Sequence, residues 1–188
     1  MAAGGKPPIY TKTGDDGTTG LLFGGRVSKA NPVVEVCGAV DEAVAALGMA
    51  RASLEDQGLQ AIVLDLQRGL FVAAAEAAAN PRARDRLVPG TSTVTAGMTA
   101  ALEQTIDRLL AEHPLRPAFV VPGATPASAA LDLARTFLRH AERRLVAARE
   151  GGMTVSATLI AFVNRASDHV YVLARRAAGD GDEPLSHE

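Results

Sequence analysis

Two dipeptides punctuate this chain more firmly than anything else in it: Asn31-Pro32 and Thr125-Pro126. In each, a residue whose side-chain oxygen caps helices precedes a proline, whose fixed φ and missing N–H suit the first helical position. Between them, the run from Ala73 to Ala79 favours helix strongly, Asn80-Pro81 ends that helix, and Thr95 caps another. These signals predict helices over 32–53, 58–79, 95–113, 126–150 and 155–178. The expected fold is all-α, a five-helix antiparallel bundle. Residues 80–94 read as a polar connector with Arg82, Arg84 and Arg86 in solvent. Glycine, proline and charge mark 1–8 and 179–188 as flexible termini, leaving 9–178 as a single domain. No internal repeat is present.

Composition removes several function classes. A net charge of −2 gives no sign of nucleic-acid binding. No stretch approaches the roughly 20 apolar residues of a membrane span. The amino terminus has no apolar core of a secretion signal. One cysteine, Cys37, rules out an intrachain disulfide and fits a reducing cytoplasm.

The chemistry concentrates on three helices and one loop. On the fourth helix, Arg135, Arg139, Glu142 and Arg143 fall within an arc of roughly 100°. Three guanidinium groups with one carboxylate suit planar, bidentate recognition of phosphate oxygens. Taken alone, such a stripe is an ordinary solvated face. Two other segments change that. On the first helix, Val34, Cys37, Asp41, Val44, Ala45 and Gly48 share a face, which makes Asp41 a lone carboxylate in an apolar stripe; Glu42 points away and is solvated. Either Asp41 lies at the wet edge of the bundle, or it takes a cationic partner, an arginine of the stripe being the natural one. On the fifth helix, Asn164, Asp168, Tyr171 and Arg175 recur at spacings of four, three and four. Asn164 offers donors and an acceptor, and Asp168 can hold an arginine.

The loop is Tyr10-Thr11-Lys12-Thr13-Gly14-Asp15-Asp16-Gly17-Thr18-Thr19-Gly20-Leu21, followed by Gly24-Gly25-Arg26-Val27-Ser28-Lys29. Its backbone amides, hydroxyls and lysines have the composition of an anion nest, although such a stretch is also a plain turn. It is neither a Walker A motif nor a G-x-G-x-x-G dinucleotide turn.

The segments TKTGDDGTTGL, GAVDEA (Gly38 to Ala43), FVVPGA (Phe119 to Ala124), ARTFLRHAERR and FVNRASDHVYVLAR occur in this order. From Ile9 to about Arg176 the chain resembles the PduO-type ATP:cob(I)alamin adenosyltransferases. The resemblance implies transfer of the 5′-deoxyadenosyl group of ATP to the cobalt of cob(I)alamin, with Mg²⁺ carried on the ATP phosphates rather than held by protein side chains. Cobalt(I) is itself the nucleophile, so no Ser, Cys or Lys is needed for attack. By the same resemblance, Arg139 pairs with Asp41, and Arg143 lies close to the phosphates and C5′. Glu142 and Asn164 contact the nucleotide, with Arg135 in support. Thr11, Lys12, Thr13, Gly14 and Gly17 form the ATP loop, and Lys29 binds nucleotide. Asp168 acts one layer out, and Phe119 crowds the lower face of the corrin. The resemblance also implies a homotrimer with active sites between subunits, and as partners an adenosylcobalamin-dependent mutase and a corrinoid reductase.

The chain departs from the family at His140, Ala124 and His169, where arginine, glycine and an apolar or aromatic residue are usual. Those positions keep an alternative open: a non-catalytic protein that stores or delivers adenosylcobalamin. The four histidines are too scattered to suggest a metal set. A plain helical interaction module would leave the loop and the arginine stripe without a purpose.

Overall fold

In the computed structural model, which describes residues 9–184, Asn31 accepts the Val33 amide at 3.0 Å, and α1 runs Pro32–Ser53 from that cap. Asp56 caps α2 (Gln57–Ala77) and Thr95 caps α3 (Ala96–Glu112). Thr125 and Ser128 form a reciprocal capping box at the start of α4 (Pro126–Glu150), and Ser156 caps α5 (Ala157–Ala178). The five helices match the sequence expectation to within two residues at each end. The flexible ends expected at 1–8 and within 185–188 lie outside the described residues. Residues 179–184, also expected to be loose, instead form a 3-10 turn (Gly179–Gly181) and a short strand.

Four short strands were not anticipated. β1 (Thr18–Gly20) and β2 (Arg26–Ser28) form an antiparallel hairpin with Thr19 opposite Val27. β3 (Val120–Val121) pairs antiparallel with β4 (Glu183–Pro184), joining the α3–α4 connection to the chain after α5.

Among consecutive helices, α1 packs on α2 and α4 packs on α5, each pair joined by a short turn. Val33, Val36, Val40, Ala43, Leu47 and Ala50 of α1 are all buried, as are Leu131, Ala134, Leu138, Ala141, Leu145 and Ala148 of α4. Both series advance by three and four residues, a single stripe on each helix, and α1 and α4 pack on one another. Each buried Leu or Val contributes about 1.5–3 kcal/mol of apolar burial. The stripe on α1 is offset from the one expected, and Asp41, on the expected stripe, is exposed. Its apolar neighbours Val34 and Cys37 are only half-buried. Alanine and valine fill so much of this helix that its phase is ambiguous in sequence.

α5 is the central helix, packed on α4, α3 and α2. Its Phe162 rises against Gly69 of α2, where an added Cβ would sit 2.9 Å from the ring. α2 is long and apolar enough by composition to cross a membrane, with a mean hydropathy of 1.2, against the expectation of no such run. Its Leu59, Val63, Leu66 and Leu70 are buried, and it packs on α1 and α5.

The connector is less solvated than expected. Glu76 is 1% exposed at the end of α2 and accepts from the Thr93 hydroxyl at 2.7 Å, the Val94 amide at 2.8 Å and the Ser156 hydroxyl at 2.6 Å. Arg84, expected in solvent, is ion-paired with Glu76 at 3.4 Å, and Arg86 lies 4.5 Å over the Phe23 ring. Arg82 is exposed, as expected. One buried carboxylate thus ties together α2, the connector and the entry to α5, because a carboxylate accepts several donors at once.

Candidate functional site

The short α4–α5 turn folds α5 back along α4, so that the face of α4 beside its buried stripe meets the first turns of α5. There Arg139, Glu142, Arg143, Val146, Ala147, Glu150 and Asn164 line an open cleft of about 430 Å³. Asn164 donates its amide to Glu142 at 2.9 Å, which orients both across the cleft. Arg139 and Arg143 are exposed and have no ion-pair partner among the described residues. Two free guanidiniums beside a hydrogen-bonded Asn–Glu pair make a site for a polyanion that also carries donor and acceptor groups.

Arg135 does not join them. It lies 3.7 Å from buried Asp132 and 5.8 Å from the Tyr171 ring. Asp132 also holds Arg175, which is 8% exposed and lies 3.4 Å from Asp182. This buried network braces α4 against α5 and the chain that follows. Sequence placed Arg175 on a face with Asn164, but nothing in it pointed to Asp132 or Asp182 as partners. Asp168 is likewise outside the cleft: it is exposed and takes Arg165 at 2.7 Å, while Arg165 also donates to Glu103 of α3 at 2.9 Å.

Asp41 has no ion-pair partner among the described residues, so the Asp41–Arg139 pair is not formed within one chain. Both are exposed, each one residue from a contact that was not foreseen: His140 Nδ1 lies 3.5 Å from Glu42, and Arg144 donates to His140 Nε2 at 3.2 Å. Glu42 is therefore engaged rather than merely solvated.

The amino-terminal loop folds on itself. Thr11 and Thr13 hydroxyls are hydrogen-bonded at 2.7 Å, Arg26 donates to the Thr13 carbonyl and the Thr18 hydroxyl, and Lys29 donates its amide to the Gly17 carbonyl at 2.8 Å. The Lys29 ammonium lies against Gly14, where an added Cβ would sit 3.3 Å from Nζ. Lys12 takes φ of +59° and Gly17 +80°. The Thr18 hydroxyl and amide hold the Asp16 carboxyl below its ordinary range. Thr11, Lys12, Thr13, Gly14, Gly17 and Lys29 thus lie in one loop, at the end of the bundle where α1 begins and α2 ends. None of them lines the cleft.

Phe119 is 84% exposed and stands at the opposite end, beside the β3–β4 pair. Its neighbours Ala118 and Val120 line a second cleft of about 500 Å³ with Leu109, Tyr171, Arg116 and Arg175. From Asn164 to the end of α5 is about 20 Å at 1.5 Å per residue.

No group of three or more His, Cys, Asp or Glu side chains is arranged to hold a metal ion among the described residues. Burial pushes the Cys37 thiol up, away from thiolate chemistry. His169 is 1% exposed with no hydrogen-bond partner on either nitrogen, and burial lowers its pKa to about 4.

The profile of the cobalamin adenosyltransferase family matches residues 9–177. The PduO corrinoid adenosyltransferase of Salmonella typhimurium is 37% identical over 175 residues, which are 93% of this chain and 51% of that protein. The chain therefore spans about half the length of that relative. A corrinoid adenosyltransferase of Bacillus subtilis is 36% identical over 89% of the chain and 84% of its own length. A PduO-type ATP:corrinoid adenosyltransferase variant from Lactobacillus reuteri, complexed with cobalamin and ATP, superposes with a TM-score of 0.85 at 28% identity, covering 96% of this chain and 100% of that one.

Proposed function

The chain belongs to the cobalamin adenosyltransferase family, and from that premise we propose that it transfers the 5′-deoxyadenosyl group of ATP to the cobalt of cob(I)alamin, releasing triphosphate. The observation that carries this reading is the cleft in which unpaired Arg139 and Arg143 stand beside the Asn164–Glu142 pair. In the transfer, the cobalt(I) electron pair forms the Co–C5′ bond. The bond from C5′ to the α-phosphate oxygen breaks, and its electrons leave with triphosphate.

The protein's contribution is positioning and charge. Arg139 and Arg143 offset the charge that grows on the leaving triphosphate, a role in which one preorganised donor is typically worth about 3–4 kcal/mol. Asn164, held by Glu142, fixes the nucleotide so that C5′ faces the metal. Lys12, Lys29 and the amides and hydroxyls around Thr11, Thr13, Gly14 and Gly17 complete the phosphate cradle. Arg135 and Asp168 act indirectly, Arg135 by bracing α4 on α5 and Asp168 by holding Arg165. Mg²⁺ would be carried on the phosphates, with Glu142 or Glu150 as the nearest cleft carboxylates, and would supply further charge neutralisation.

Phe119 serves the corrin, yet it stands beside the β3–β4 pair, past the end of α5, and that helix end is itself about 20 Å from Asn164. That separation supports a site whose nucleotide half and corrin half come from two copies of the chain. A homotrimer closed in this way would also pair exposed Asp41 with exposed Arg139 across the interface. The reaction implies a cytoplasmic setting, a reductase that delivers cobalt(I) and a mutase that consumes the product.

The test is an anaerobic assay with chemically reduced cobalamin, ATP and magnesium. Steady formation of the light-sensitive adenosyl product is expected. Tight binding of ATP or adenosylcobalamin without transfer would overturn the catalytic reading in favour of a carrier.

A further inference from the structure

Besides the stacking of Arg86 over its Phe23 ring, the amino-terminal loop is fastened to the bundle at two places. One is its covalent entry into α1, where the Asn31 amide donates to Ser28 at 2.9 Å. The other is a small latch at the end of α2. There the Leu22 amide donates to the Ala78 carbonyl at 2.9 Å, the Asn80 amide donates to the Leu22 carbonyl at 2.9 Å, and the Asn80 side-chain amide donates to the Gly24 carbonyl at 2.8 Å. Among the described residues, the only other hydrogen bond from 9–29 to the rest of the chain is that of the Ala30 amide to the Ser28 hydroxyl at 3.1 Å, at the same entry into α1.

Asn80 uses both ends of its amide. While Nδ2 holds Gly24, Oδ1 accepts the Arg82 amide at 3.0 Å and caps the turn Pro81–Arg86. The same Nδ2 lies where a Cβ on Gly25 would be 3.0 Å away, and Gly25 takes φ of +86°. A side chain at that position would strain the backbone and displace the latch. Beneath it, buried Glu76 fixes the platform on which Asn80 stands.

We propose that Asn80 is a positioning residue for nucleotide binding: its Nδ2–Gly24 bond sets where the Thr11–Lys29 cluster meets the arginine cleft. This rests on the adenosyltransferase reading for its kinetic consequence, but not for the latch itself. A loop free to turn about its α1 junction loses the orientation of Lys12 and Lys29, and nucleotide binding then carries the cost of restoring it.

Asn80→Asp separates the two functions of the side chain. It keeps the Oδ1 cap but replaces the donor with a carboxylate oxygen facing the Gly24 carbonyl. Asp56→Ala, which removes the cap of α2 at the other end of the bundle, is the control for general destabilisation. In Asn80→Asp, amide hydrogen exchange in 11–29 is expected to speed up at least tenfold, with the α4 and α5 cores unchanged. The KM for ATP is expected to rise roughly three- to tenfold, the range of one lost hydrogen bond. Turnover at saturating ATP stays within about twofold, the KM for cobalamin does not move, and Asp56→Ala changes neither KM. Unaltered exchange in 11–29 would overturn the latch. Faster exchange with an unchanged KM for ATP would overturn its role at the nucleotide site. Absence of turnover in the unsubstituted chain would instead remove the adenosyltransferase reading, and the exchange comparison alone would then decide the latch.

Discussion

Replacing His169 with leucine should make the protein more resistant to acid. The imidazole is 1% exposed, neither nitrogen has a partner, and burial takes its pKa from the ordinary 6.5 to about 4. Above pH 6.5 the ring is neutral in the folded and unfolded chains alike, so its titration removes nothing. Below that, the unfolded chain takes up a proton that the folded chain refuses until about pH 4, and stability falls across the window. At about 1.4 kcal/mol per pH unit, the full loss is on the order of 3 kcal/mol. Leucine has similar bulk and no proton to bind. At pH 7.5 the variant should already be more stable by about 1 kcal/mol, since two unpartnered buried nitrogens disappear. By pH 4.5 its advantage should grow by about 2–3 kcal/mol. Urea unfolding of both proteins in steps from pH 7.5 to 4.5 measures this directly, because every other titrating group is common to the pair. Two stability curves that stay parallel over the whole range would refute the argument.

Three further perturbations separate the site from the scaffold. Glu76→Ala removes the acceptor shared by Thr93, Val94, Ser156 and Arg84, and should lower unfolding free energy by about 3 kcal/mol in urea titration. Phe119→Ala should leave the thermal midpoint within a few degrees, since the ring is 84% exposed, while turnover with reduced cobalamin drops; an unchanged rate would detach Phe119 from the corrin. Arg139→Ala should lower turnover by about a hundredfold or more, with the assembly intact by light scattering. Collapse of the assembly in that variant would make Arg139 a structural residue.

The helices were legible because their signals are local. Asn31-Pro32, Thr125-Pro126 and Asn80-Pro81 fix ends by capping and by proline's geometry, whatever the rest of the chain does. Arg139, Glu142, Arg143 and Asn164 were legible as a group because helical spacing put three of them on one face, and the short turn to α5 brought the fourth opposite. What sequence did not supply depends on distant partners. Asp41 was set in a buried stripe because an alanine- and valine-rich helix has no unique apolar phase; only packing on α4 selects the series Val33 to Ala50. Arg84 looked solvated because Glu76 sits inside an alanine run and its other donors come from residues 93, 94 and 156. Arg135 left the stripe for Asp132 and Tyr171, a choice made by the depth of α4 against α5. Phe119 and the cleft are separated by the direction of α5, which no local motif encodes.

The alternating leucine and alanine seam of α4 does more than fill the core. Its period of 3.5 fixes the rotational phase of the helix against α1, and the arginines of the cleft stand at set angles from that seam: Arg139 follows Leu138, and Arg143 precedes Leu145 by two. A substitution in the seam alters packing but leaves this angular bookkeeping intact. Loss or gain of one residue between Leu131 and Leu138 turns everything beyond it by about 100°, so the helix must give up either the seam before that point or both the seam and the cleft after it. Variation in α4 is therefore restricted to exchanges of side chain at constant length, with whole heptads as the smallest change of length that keeps core and chemistry in step.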